Sequence, residues 1–125
     1  MTKTAQDYLA EANAVVPKLD FESARAKHGT DTVFIDVRDS SDIAKSGTIE
    51  GARRIPRGLI EFKADPNTAL YDSVFDKDGD YVLICGAGGQ AALAGKTLHD
   101  MGYKNVANAG GFPAWKEAGG PTEEG

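Results

Sequence analysis

A single cysteine, Cys85, stands in this chain of 125 residues, and the residues around it define a chemistry. Tyr81-Val82-Leu83-Ile84 is apolar throughout and reads as a buried strand that ends on the cysteine. Gly86, Gly88 and Gly89 follow within four residues, so the backbone can curl until several N–H groups face one point. From about Gly89 to Met101 the apolar spacing Ala91, Leu93-Ala94, Leu98, Met101 is helical, with Gly102 at the expected C-terminal cap. The first N–H groups of such a helix have no partners within it, and the helix dipole makes that end positive. A thiolate held there is stabilised and becomes a usable nucleophile. The same donors would hold an anionic leaving group. No histidine base is required. The plainer role for a free cysteine is a small buried hydrophobe; its place at a strand end before three glycines argues for the nucleophile.

A second motif shares these letters. Gly86-Ala87-Gly88-Gly89-Gln90-Ala91 matches the glycine fingerprint of dinucleotide-binding turns, following a strand and opening a helix. That fingerprint needs an acidic residue about 20 positions further on. Val106-Ala107-Asn108-Ala109-Gly110-Gly111 offers none, and too little chain follows for the second half of such a fold. A phosphate loop is absent as well, because no Gly-Lys-Ser/Thr follows the glycines.

The elements that must position Cys85 alternate between strand and helix. Residues 4–14 read as an amphipathic helix, and Val15-Val16 as a brief strand closed by Pro17. Asp20 is placed to cap a helix through about His28, stopped by Gly29. The β-branched run Thr32 to Val37 reads as a strand buried on both faces. A helical turn starting at Ser40 or Ser41 and stopped by Gly47, a short strand over 53–56 and a helix over 58–63 follow. Residues 64–80 are rich in turn formers, 105–107 form a last strand and 112–118 a last helix. The tail 119–125 is expected to be flexible, and 1–14 to be a helical extension of one domain spanning 1–125. The expected class is α/β, with a central parallel sheet of about five strands flanked by helices on both faces.

Charge and composition narrow the partners. With 14 Lys+Arg against 19 Asp+Glu, the net charge is −5, which argues against nucleic-acid and membrane surfaces. One cysteine cannot form an intramolecular disulfide, and with two distant histidines it gives no metal-ligand spacing. A reduced, cytoplasmic protein without metal or cofactor is expected.

Three segments in order resemble the rhodanese (sulfurtransferase) family. The first is Phe34-Ile35-Asp36-Val37-Arg38-Asp39, followed by Gly47-Thr48-Ile49-Glu50-Gly51-Ala52 and Ile55-Pro56. The second is Leu83 to Ala94, similar to the family's active-site loop, with Cys85 in the nucleophile position. The third is Asn108 to Trp115, similar to its carboxyl-terminal signature. The resemblance implies a single α/β domain and a Cys85 persulfide cradled by the backbone N–H groups of Gly86 through Ala91. It implies a small sulfur donor such as thiosulfate, with a thiol, cyanide or a protein as acceptor. A low-turnover sulfur carrier or interaction module is the alternative. Phosphatases and arsenate reductases related to the family have a longer loop ending in arginine, which this chain lacks. Family loops often carry arginine where Gly86 and Gln90 stand here, and a glutamine has no charge to grip a sulfonate. Thr48 occupies a position where histidine is common.

Several residues outside the loop have competing roles. Asp36 sits at a strand end and either orients the loop or makes an ordinary ion pair or turn contact. Arg38 is expected to make a bland contact, such as a pair with Asp42. Arg53, Arg54 and Arg57 could supply positive field, Arg57 with the best placement, although solvated surface charge is the expected role. Lys96 is expected to be exposed, Phe112 and Trp115 to pack the core, and His28 and His99 to sit near helix ends without a catalytic role.

Overall fold

The computed structural model describes residues 2–125; Met1, where the expected 1–14 extension begins, lies outside them. Helix α1 (Ala5–Val15) starts where Thr4 and Asp7 exchange bonds, Asp7 N donating to Thr4 Oγ1 and Thr4 N to Asp7 Oδ2. Asp20 caps α2 (Phe21–Lys27) as expected, accepting from Ser23 N at 2.8 Å. Strand β1 (Val33–Asp36), α3 (Ser40–Ser46), β2 (Thr48–Ile49) and β3 (Arg53–Arg54) follow, then a 3-10 turn over Arg57–Leu59 and α4 (Ile60–Ala64). The carboxyl-terminal half holds β4 (Asp80–Cys85), α5 (Gly89–Asp100), β5 (Asn105–Gly111), α6 (Phe112–Glu117) and β6 (Thr122–Glu123).

The main sheet has the order β3-β1-β4-β5, and every neighbouring pair is parallel. Its side chains alternate between two packed layers. Ile35, Tyr81, Leu83 and Cys85 face α4 and α5, burying against Ile60, Ala91, Ala94 and Leu98. Phe34, Val82 and Ile84 face the other way, onto Ala24 of α2 and onto Phe112 and Trp115 of α6. The residues that read as runs buried on both faces are therefore buried on both faces, and the α/β class follows. At the far side of the first layer, Tyr103 donates to Ala64 O at 2.7 Å. Burial, with the neighbouring tyrosines and acidic groups, pushes its phenol up to about 12.

Two expectations need correction. The sheet has four strands rather than about five: Val15 ends α1, and the expected edge strand is reduced to one parallel bridge, Lys18 to Asn108. The tail is docked rather than flexible. Thr122 and Glu123 pair antiparallel with Ile49 and Thr48, and Trp115 Nε1 donates to Pro121 O at 2.9 Å. Arg54 adds an ion pair to Glu123.

Candidate active site

In an all-parallel sheet every strand ends on the same side, so Asp36 and Cys85 arrive together: Asp36 pairs in register with Ile84, one residue before the cysteine. After Cys85 the chain turns over the end of β5. A side chain at Gly111 would strike the Gly86 carbonyl, so this crossing requires glycine there. Gly88, in the left-handed region at φ +101°, precedes α5 and reverses the chain into it. The turn carries two amides onto the sulfur: Gly88 N donates to Cys85 Sγ at 3.0 Å and Ala91 N at 3.3 Å. Cys85 itself is only 2% exposed, while Gly86, Ala87 and Gln90 are open to solvent.

The sulfur sits at the floor of a cleft of about 640 Å³, one wall of which is the loop from Gly86 to Gln90. The opposite wall is α3, contributing Asp42, Lys45 and Ser46, with Arg38 from the β1–α3 turn. Arg38 is the guanidinium that lines the cleft, and it is already committed. Its Nη2 donates to Asp36 Oδ2 at 2.8 Å and to Gly47 O at 2.9 Å, and its Nη1 to Ser46 Oγ at 2.9 Å. Its Cζ lies 4.8 Å from the centre of the Phe112 ring. The expected pair with Asp42 is therefore corrected: a buried bidentate pair with Asp36 replaces it. Asp36 does not reach the loop. Its carboxylate accepts from Arg38 and, at 2.7 Å, from the buried hydroxyl of Thr48, so it fixes the α3 wall instead. The threonine thereby supplies a donor at the position where histidine is common.

Arg57 is placed elsewhere. Its guanidinium donates to Glu61 Oε1 and to Thr97 Oγ1 and is absent from the cleft lining. Arg54 is engaged by the tail. His28 approaches the Glu50 carbonyl, and His99 lies beside Asp100; neither lines the cleft. Two features escaped the sequence reading. Lys45 and Asp42 put one charge of each sign on the cleft wall. Asn108 of β5 reaches under the loop, donating from Nδ2 to Gly88 O at 3.0 Å. The sequence held no signal for it, because the expected strand stopped at Ala107 whereas β5 runs on to Gly111.

A model of the rhodanese-like domain matches residues 20–118. The chain belongs to the rhodanese-like domain family. An Allochromatium vinosum sulfurtransferase is 32% identical over 110 residues, covering 86% of this chain and 94% of that protein. The protein HIGH ARSENIC CONTENT 1, mitochondrial, of Arabidopsis thaliana is 34% identical over 112 residues, which span 83% of this chain and 64% of the plant protein. Among solved structures, a Rhodopseudomonas palustris protein described as of unknown function, possible tyrosine phosphatase, superposes with a TM-score of 0.92. It is 39% identical, and the match covers 98% of this chain and 96% of that one. The relatives matched include a sulfurtransferase, and a solved rhodanese-like domain from Anabaena shares the α/β fold seen here, 27% identical with a TM-score of 0.71.

Proposed function

We propose that this protein moves a sulfane sulfur from a donor such as thiosulfate or a persulfide to a thiophilic acceptor, through a persulfide on Cys85. The observation that carries the reading is the pair of amides, Gly88 N and Ala91 N, directed at Cys85 Sγ. They stabilise a thiolate, and with the remaining N–H groups of the loop from Gly86 to Gln90 they cradle the added sulfur. In the first step the thiolate attacks the outer sulfur of thiosulfate. A bond forms from Sγ to that sulfur, the donor's S–S bond breaks, and its electron pair leaves with sulfite. In the second step an acceptor thiolate or cyanide attacks the outer sulfur of the persulfide. The Sγ–S bond breaks and its electron pair restores the Cys85 thiolate. No external oxidant or reductant enters, and a working thiol suits a reducing, cytoplasmic compartment.

A phosphatase reading has less support. No arginine lies in the loop or in α5, and the one guanidinium in the cleft is held by Asp36. A second reading, a carrier that passes sulfur only to a protein partner, is favoured by the same lack of a basic loop residue.

The test is steady-state formation of thiocyanate from thiosulfate and cyanide by wild type and Cys85→Ser. The expected result is multiple turnovers for wild type and none for the variant. Gain of one sulfur on the chain from thiosulfate, with negligible thiocyanate formed, supports the carrier. Equal rates for both proteins overturn the assignment to Cys85.

A further inference from the structure

The side chain of Asn108 has no part in the chemistry proposed above, yet it is 3% exposed inside β5. A buried amide is retained without cost only when its donors and acceptor are met; here one end is used on the turn after Cys85 and the other within β5 itself. Nδ2 donates to Gly88 O at 3.0 Å, and Oδ1 accepts from Gly110 N at 2.7 Å. The backbone of the residue is tied on its other edge, with Asn108 N donating to Pro17 O at 2.8 Å and Leu19 N to Asn108 O at 2.9 Å. The side chain is thus a fixed post in the sheet, and what it holds is a glycine.

Gly88 is the residue whose N–H meets Cys85 Sγ. Its left-handed conformation is one that glycine alone adopts readily, and glycine is also the residue that leaves it most freely. Within α5 the Gly88 carbonyl is met only by Ala92 N, so the helix alone leaves its second lone pair open. Asn108 occupies that lone pair from the side. With the carbonyl fixed at two points, the orientation of the whole residue follows, including the direction of its N–H.

We infer that Asn108 is a positioning residue that holds the Gly88 amide on Cys85, an inference resting on the reading of Cys85 as the nucleophile. Preorganised donors matter most where charge changes in the reaction, so a loosened amide is felt in the chemical step rather than in donor binding. The substitution that isolates this is Asn108→Asp. It keeps the shape and the acceptor for Gly110 N, but turns a carboxylate oxygen toward the Gly88 carbonyl. Asn108→Ala, which removes both contacts without adding repulsion, serves if the first does not accumulate folded.

Two rates are measured per folded molecule. One is alkylation of Cys85 by iodoacetamide at fixed pH, which involves no sulfur transfer. The other is thiocyanate formation, separated into kcat and KM for thiosulfate. The expected result is a loss of about tenfold in both the alkylation rate and kcat, with KM within about twofold of wild type. A residue that only supports the fold lowers melting temperature and leaves both rates intact. Wild-type alkylation and kcat in either folded variant overturn the inference. A slowed alkylation, in a protein whose wild type makes no thiocyanate, supports the positioning role and removes turnover with thiosulfate and cyanide instead.

Discussion

Gln90 stands on the first turn of α5, exposed and on the wall of the cleft above Cys85. A small anionic donor entering there meets backbone amides and one amide side chain on the loop wall; on the opposite wall Lys45 is offset by Asp42, and the guanidinium is bound to Asp36. Placing a guanidinium at this position adds a charge-assisted contact without disturbing packing. Gln90→Arg is therefore expected to raise kcat/KM for thiosulfate by about tenfold, the equivalent of about 1.4 kcal/mol. Thiocyanate assays at low and high ionic strength check it, since the gain must shrink as salt rises. Unchanged or reduced turnover contradicts the idea that missing charge limits use of thiosulfate. Gly86 offers a second position, because a side chain there meets nothing within 4 Å. The cysteine, its glycines and the absent arginines were legible in the sequence, being local. The pairing of Arg38 with Asp36 was not, since choosing Asp36 over Asp42 depends on where Gly47 and Thr48 return beside β1.

At the scale of elements, the central strands were plain because their residues are apolar on both faces. The edges were not. Strands β2 and β6 are two residues each, too short to carry a periodicity, and they pair across more than seventy residues of chain. The tail looked free because the last residues of a domain fray unless something ties them down. What holds it is Trp115, whose ring fills the layer between Phe21 and Phe34 while its N–H reaches the Pro121 carbonyl. Gly120 is buried directly against that ring, where any side chain would collide. Trp115→Phe removes the donor and leaves a small void, and is expected to cost about 1–3 kcal/mol. Urea unfolding monitored by circular dichroism measures the loss. An unchanged midpoint contradicts the docked tail.

At the scale of the molecule, a parallel sheet gathers the ends of β1, β4 and β5 on one side, and each contributes differently. The end of β4 supplies the sulfur, the end of β1 anchors the α3 wall through Asp36 and Arg38, and β5 supports the turn through Asn108 and Gly111. The order of the three sequence segments foretold that meeting, while the contacts between them required the fold. What the arrangement is for rests on one covalent state. Intact mass measured after incubation with thiosulfate, before any acceptor is added, reads it directly. The expected result is a gain of one sulfur atom by wild type, none by Cys85→Ser, and return to the starting mass on adding cyanide. No gain by wild type, or the same gain by both proteins, contradicts a Cys85 persulfide.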